Sequence, residues 1–201
     1  MEEILLATRN QDKVRELAVL LGDLGIRIRT LADFPSAPEV EEDGLTCEAN
    51  ALKKARETAS ATGIPSVADD TGLEVDALGG RPGVFAARYA GERATYEDNC
   101  RKLIKELDGV PPARRTARFT TVAALAMPEG HFRTAVGTLV GVIAEGFVGT
   151  QGFGYDPVFF VPELGRTLAE LTAEEKNRIS HRAKAFRAMA DILRPLTAGK
   201  R

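Results

Sequence analysis

Ile4-Leu5-Leu6-Ala7-Thr8-Arg9-Asn10-Gln11-Asp12-Lys13, with the chain that follows as far as Leu31, decides the fold class. Residues 4–7 are an apolar run of buried-strand length that stops at the polar Thr8-Arg9-Asn10. Asn10 is a good helix N-cap, and Val14, Leu17, Ala18 and Leu21 recur behind it at i, i+3, i+4 and i+7, one face of a helix. Gly22 and Gly25 close that helix, and residues 26–31 predict a second strand. Strand, polar turn, helix, strand is the grammar of an α/β fold.

The rest of the chain continues it. Residues 33–44 carry two prolines and five acidic side chains and predict an exposed loop. Thr46 caps a helix to about residue 62 with Leu52, Ala55 and Ala59 facing inward, ended by Gly63 and Pro65. Residues 66–68 predict a short strand with Asp69-Asp70-Thr71-Gly72 at its end, and residues 73–76 alternate like a further strand piece. Gly79-Gly80-Arg81-Pro82-Gly83 predicts a loop of unusual backbone angles. Thr95 with Asp98 makes a capping box before Cys100, Leu103, Ile104 and Leu107 at helical spacing. Long strands over 116–127 and 132–143 flank a hairpin-length turn, residues 146–157 form a glycine- and aromatic-bearing loop, and Ser180 caps a last helix with Phe186, Met189, Ala190 and Leu193 on one face. With no internal repeat, linker or low-complexity tract, residues 1–201 are expected to form a single domain, a single mixed elongated α/β sheet with flanking helices and two lobes.

Composition narrows the function. Twenty-seven Lys and Arg against 29 Asp and Glu give a net charge of −2, without the cationic excess of a general nucleic-acid binder. Cys47 and Cys100 stand far apart with no CxxC or histidine-rich company, so neither a disulfide scaffold nor a zinc module is expected. Glu2-Glu3 after Met1 offers no basic leader, and no apolar run reaches the ~20 residues of a membrane span. A cytoplasmic protein, bound to neither nucleic acid nor membrane, is the expectation.

Four segments can carry chemistry. Thr8-Arg9-Asn10-Gln11-Asp12-Lys13 lies where a strand becomes a helix, and helix N-termini favour anions such as phosphate. A capped helix with an exposed lysine fits the same spacing, and the Walker A glycines are missing. Asp69-Asp70 offers carboxylates of the kind Mg²⁺ prefers, or a base for an attacking water. Adjacent strand side chains point to opposite faces, so the two are not expected to serve one site. Glu39, Glu41, Glu42 and Asp43 can add a second metal ligand or simply form a solvated loop. Gly152-Phe153-Gly154-Tyr155-Asp156-Pro157 lets a backbone approach closely, offers Phe153 as a face for a base, and provides Asp156 as an acceptor; a glycine-aromatic turn is the bland alternative. Lys176 and Arg182 can neutralise phosphates and His181 can bond a purine, although a histidine opening a helix is, taken singly, more often a surface residue. With only two histidines, a multi-histidine metal site is excluded.

Together these segments resemble one family. Thr8-x-Asn10-x-x-Lys13, Asn50-Ala51-x-x-Lys54-Ala55, Ala68-Asp69-Asp70-Thr71-Gly72-Leu73, Gly79-Gly80-x-Pro82-Gly83, Ala87-Arg88-Tyr89, Gly152-Phe153-Gly154-Tyr155-Asp156-Pro157 and Ser180-His181-Arg182 occur in the order found in the inosine triphosphate pyrophosphatase family, the bacterial dITP/XTP diphosphatases. The resemblance runs from residue 4 to about 190 and implies a homodimer of elongated α/β subunits, each with a central cleft between two lobes. It also implies Mg²⁺-dependent hydrolysis of noncanonical purine nucleoside triphosphates (dITP, ITP, XTP) to monophosphate and pyrophosphate. Asp70 would be the catalytic carboxylate and metal ligand, with Glu42 as second metal ligand and Thr71 contacting substrate. Residues 8–13 (Thr8, Arg9, Asn10, Gln11, Asp12 and Lys13) with Lys54 would line the phosphates. Phe153, Gly154, Tyr155 and Asp156 would frame base and sugar, and Lys176, His181 and Arg182 would close the pocket.

The chain departs from the family pattern in places. Arg9 or Asp12 stands where many relatives carry glycine, Ala49-Asn50-Ala51 replaces a common Glu-Asn-Ala with Glu48 one place early, and Ala86 replaces a frequent serine. Two other readings stay open: a nucleotide-binding module without catalysis, and a pyrophosphatase for modified pyrimidine nucleotides.

Overall fold

A computed structural model describes residues 1–197 of the chain. Asn10 does cap the first helix. Strand β1 (Glu3–Leu6) leads into α1 (Gln11–Leu21), and the chain returns as β2 (Arg27–Thr30), parallel to β1 with Ile4 opposite Ile28. After the acidic loop, α2 (Cys47–Thr62) leads into β3 (Ser66–Val75), which also pairs parallel with β1, Leu6 opposite Val67. Parallel neighbours need crossovers, and α1 and α2 supply them. β4 (Pro82–Gly83) pairs antiparallel with the far end of β3. Helix α3 (Tyr96–Glu106) starts from the Thr95–Asp98 capping box that the sequence predicts. The long strands β5 (Thr116–Ala126) and β6 (Phe132–Ile143) follow, then β7 (Phe159–Val161), β8 (Arg166–Thr167), α4 (Ala173–Ile179) and α5 (His181–Thr197). The strands make one open mixed sheet of order β2-β1-β3-β5-β6-β7-β8, with β4 beside β3.

The chain gathers into two compact units: unit 1 holds Met1–Asp70, Thr121–Gly137 and the chain from His181, and unit 2 holds Thr71–Thr120 and Thr138–Ser180. In unit 1, Leu17 and Leu21 of α1 pack with Phe186, Met189 and Leu193 of α5 over Ile4, Leu6 and Val67. Ala51, Ala55 and Ala59 of α2 pack on Ala68, Val122 and Ala124. In unit 2, Leu103 and Leu107 of α3 join Leu73, Phe119, Leu139, Ile143 and Phe159. Among the described residues no helix is long and apolar enough to cross a membrane.

Three local expectations change. β3 is one ten-residue strand, so Asp69-Asp70 lie in its middle rather than at its end. Asp and Gly are poor strand formers, but buried cations outweigh the burial of Asp69 and offset part of that of Asp70. In α1, Ala18 is exposed and Val14 half-buried, because the inward stripe is only as wide as the contact with α5. In α2 the buried apolar row is Ala51, Ala55 and Ala59, with Leu52 half-buried, and the polar Asn50, Lys54 and Thr58 form a second buried row.

Candidate active site

Unit 1 buries a cluster of opposite charges around the middle of β3. The Asp69 carboxylate is fully buried, with Lys13 Nζ 3.1 Å from its Oδ2 and Arg182 Nε donating to the same oxygen at 3.1 Å. The other arm of Arg182 donates to Glu16 Oε2 at 2.8 Å. Asp70, whose neighbours in the strand alternate faces with it, meets a different set. Its Oδ2 accepts from Asn50 Nδ2 at 3.2 Å, and Lys54 Nζ lies 3.6 Å from its Oδ1. Lys54 also donates to Glu42 Oε1 at 2.9 Å and to the main-chain carbonyl of Asp69 at 2.7 Å. Lys13 reaches that carbonyl too, at 3.5 Å. The side chains of Asp69 and Asp70 therefore have separate partners, yet both lysines converge on one backbone oxygen and join the sets into a single cluster.

The electrostatics of the two aspartates are opposite. Burial favours the neutral form of Asp69, but Lys13, Arg182 and Lys54 outweigh it and hold the carboxyl far below the usual range. Burial likewise pushes Asp70 up, Lys54 and Lys13 only partly offset it, and Glu42 pushes further upward, so its carboxyl ends above the ordinary value. Burial opposes the charge of Glu42, but Lys54, Lys13 and a hydrogen bond with Asp70 together outweigh it, and its carboxyl is held low. Lys13 is lowered, by burial first, with Asp69 offsetting and Lys54 and Arg182 repelling. Lys54 is raised, because Asp70, Glu42 and Asp69 together outweigh its burial. The half-buried Cys47 thiol is pushed up to about 12, by burial first and then by Asp70.

Local sequence explains the placement. Asn10 Oδ1 accepts from the N–H groups of Asp12 (2.9 Å) and Lys13 (3.2 Å), so the cap fixes Lys13 in the first turn of α1. Thr8 Oγ1 accepts from the Asn10 N–H at 3.2 Å. Arg9 donates to the Ala37 carbonyl at 3.0 Å, Asp12 pairs with Arg15, and Gln11 is exposed. Of residues 8–13, then, Lys13 is the side chain that the described contacts bring to the carboxylates; Thr8 and Asn10 shape the turn, and Arg9 pins the acidic loop. On α2, Asn50 and Lys54 are four apart and share a face. Asn50 Oδ1 also accepts from the Gly44 N–H at 2.8 Å, which ties the loop carrying Glu42 to Asp70. Glu48 lies elsewhere, accepting from Thr134 at 3.3 Å. His181 is buried rather than on the surface, its Nδ1 2.6 Å from Thr121 Oγ1. Gly137 makes this possible: a Cβ there would lie 2.2 Å from the His181 carbonyl, so only glycine lets the start of α5 sit so close to β6.

Unit 2 holds a second group. Thr71, half-buried, follows Asp70 in β3. Asp156 is buried, its Oδ2 accepting from the Phe153 N–H at 2.8 Å and from Lys176 Nζ at 2.5 Å. Lys176, on α4, is buried as well and lies over the Phe153 ring, 4.8 Å from its centroid. Gly152 has φ +74°, and a Cβ on it would fall 2.0 Å from Asp156 Oδ2, so the loop closes only around glycine. Cys100 Sγ donates to the Gly154 carbonyl at 3.4 Å. The buried Tyr155 hydroxyl donates to the Ala86 carbonyl at 2.8 Å, and burial pushes the phenol far above its ordinary value.

Asn50, Glu16 and Thr121 take structural parts in these groups that motif reading assigned to none of them. The Asn50–Lys54–Thr58 row beside Ala51–Ala55–Ala59 is a visible signal for the first; the other two act on partners far away in sequence.

Comparison with known proteins gives a consistent picture. The Ham1 family model matches residues 4–192. The chain is 52% identical over 193 residues to a dITP/XTP pyrophosphatase of Geobacter sulfurreducens, covering 96% of this chain and 97% of that one. It is 55% identical over 188 residues to a dITP/XTP pyrophosphatase of Elusimicrobium minutum, covering 92% and 95%. Among solved structures it is similar to a HAM1 protein from Coxiella burnetii, with TM-score 0.87, 42% identity, and 96% and 98% of the two chains covered.

Proposed function

This chain belongs to the Ham1 family, and on that footing we propose that it hydrolyses noncanonical purine nucleoside triphosphates (dITP, ITP and XTP) to the monophosphate and pyrophosphate. The observation that carries the assignment of the chemistry is the buried cluster on β3, where Lys13 and Lys54 meet at the Asp69 backbone carbonyl and Lys54 also lies beside the raised carboxyl of Asp70. The family match runs through both units without a break, which supports reading residues 1–201 as one catalytic domain.

Among the described residues no group of three or more His, Cys, Asp or Glu side chains is arranged to hold a metal ion. A pair suffices for Mg²⁺, which commonly takes one or two carboxylates and completes its shell with water and phosphate oxygens. Asp70 and Glu42 fit that role: they are hard oxygen donors close to each other, both bonded to or beside Lys54, and burial together with Glu42 disfavours the charge on Asp70, a bias that a bound cation would reverse. Three cations (Lys13, Lys54, Arg182) face four carboxylates (Glu16, Glu42, Asp69, Asp70) here. A triphosphate of about four negative charges therefore needs more positive charge than the lysines supply, and Mg²⁺ held by Asp70 and Glu42 would provide it and polarise the phosphoryl oxygens.

The side chains divide the remaining work. Lys13 and Lys54 exchange carboxylate partners for phosphate oxygens. Arg182 stays with Asp69 and Glu16. Asn50 orients the Asp70 carboxylate through Oδ2. Asp70, oriented by Asn50, accepts the proton of a water attacking the α-phosphorus, and pyrophosphate leaves. Phe153 stacks on the base, with Lys176 and Asp156 fixing its loop, while Thr71, Gly154, Tyr155 and His181 complete the substrate contacts. A site donating to the 6-oxo group rejects ATP, whose amino group leaves that donor unpaired. We read the protein as a cytoplasmic homodimer; Val136 and Val140, four residues apart on the same face of β6, are 57% and 66% exposed and suit an interface.

The test is pyrophosphate release with Mg²⁺ from dITP, XTP, GTP, ATP and dUTP. Release chiefly from dITP and XTP supports the proposal. No release from any favours a binding module, and preference for dUTP favours a pyrimidine enzyme; either overturns it.

A further inference from the structure

The family motifs do not include Tyr96, yet it stands against the loop that carries Phe153. Tyr96 opens α3 directly behind the N-cap Thr95, and its ring centroid lies 5.8 Å from that of Phe153 at an interplanar angle of 41°. One turn further on, Cys100 bonds the Gly154 carbonyl. Residues at i and i+4 share one helix face, so a single face of α3 touches two consecutive residues of the loop. The capping box fixes where that face begins: Thr95 Oγ1 accepts from the Asp98 N–H at 3.1 Å, and Asp98 Oδ2 from the Thr95 N–H at 2.9 Å. The Phe153 ring thus touches two anchored groups, the Lys176 ammonium bound to Asp156 and the Tyr96 ring at the start of a capped helix. Tyr96 remains 42% exposed, more than a residue placed only to fill the core.

We propose that Tyr96 is a positioning residue for base recognition: it fixes the plane of the Phe153 ring and through it the affinity for the purine. The inference rests on the reading of Phe153 as the stacking face. Stacking does not read base edges, so the effect falls equally on dITP and XTP.

The experiment compares kcat and KM of Tyr96→Ala, Tyr96→Phe and Phe153→Ala for both substrates. An aromatic pair of this type corresponds to a KM rise of about 2- to 12-fold in Tyr96→Ala, with kcat nearly unchanged and with Tyr96→Phe close to wild type, because the ring and not the hydroxyl makes the pair. An unchanged KM in Tyr96→Ala beside a raised KM in Phe153→Ala overturns the proposal while leaving the stacking reading intact. A rise for one base alone overturns it in favour of an edge contact, and a fall in kcat that Tyr96→Phe does not restore overturns it in favour of a structural role. An unchanged KM in Phe153→Ala overturns the stacking reading and this inference with it.

Discussion

Replacing Asp69 and Asp70, one at a time, by Asn separates the two aspartates of β3. Asp69 is a fully buried carboxylate with Lys13 and Arg182 both at 3.1 Å. Its loss takes from Lys13 and Arg182 the carboxylate oxygen that they share, and breaking a buried ion pair by removing one partner costs about 3–5 kcal/mol. For a chain of this size about 2–4 °C of Tm accompanies each kcal/mol, so Asp69→Asn lowers Tm by roughly 6–20 °C. Asp70 has the opposite sign. Its folded carboxyl lies above the ordinary value, so the stability linked to it is present below the unfolded pKa, about 3.9, and is lost as pH rises through the folded one. At neutral pH, without metal, the ionised Asp70 is a net burden, while Lys54 keeps Glu42 and the Asp69 carbonyl as partners in its absence. Asp70→Asn therefore holds or raises Tm. Circular-dichroism melts at pH 7 in chelator measure both variants, and an equal loss of Tm in the two would refute the electrostatic reasoning.

Other outcomes follow from the same geometry. Phe153→Ala raises KM for dITP by about 5- to 150-fold, the equivalent of stacking worth ~1–3 kcal/mol, with a smaller change in kcat; steady-state kinetics check it. Gly152→Ala forces a side chain into φ +74° and against Asp156 Oδ2, so it destabilises the protein by at least about 1–3 kcal/mol, and an unchanged urea midpoint would contradict that. Asp33, Asp98 and Glu175 are held below their ordinary values, chiefly by hydrogen bonds from Thr30, Thr95 and Thr172 respectively. The stability they contribute is complete above about pH 4–4.5 and is lost as pH falls, so urea melts from pH 7 to pH 3 show a decline that Asp98→Ala makes shallower.

The sequence is most legible where local signals suffice. Asn10, the Thr95–Asp98 box and the 128–131 turn each act within four residues, and the elements they delimit are found where they are expected. The middle of β3 is illegible for the opposite reason: Asp69-Asp70-Thr71-Gly72 reads as a strand end by propensity, and what holds it extended are Lys13, Lys54 and Arg182, up to 113 residues away. Periodicity finds Ala55 and Ala59 on the inward face of α2 but not the polar row beside them, since Lys54 is buried by its carboxylate partners while Leu52 is only half-buried. The site follows the same pattern. Motifs name Asp70, Lys13 and Phe153 and include Asn50 without a role, but Glu16 and Thr121 enter only through tertiary contact, and Arg182, expected among the phosphates, has carboxylates on both arms.

Turnover by Asp70→Asn tests the central claim most directly. With dITP and Mg²⁺, pyrophosphate release by this variant falls at least ~100-fold below wild type, the lower range for loss of a general base, while the melt stays at or above the wild-type value. Release within a few-fold of wild type would show that the β3 cluster does not centre its chemistry on Asp70.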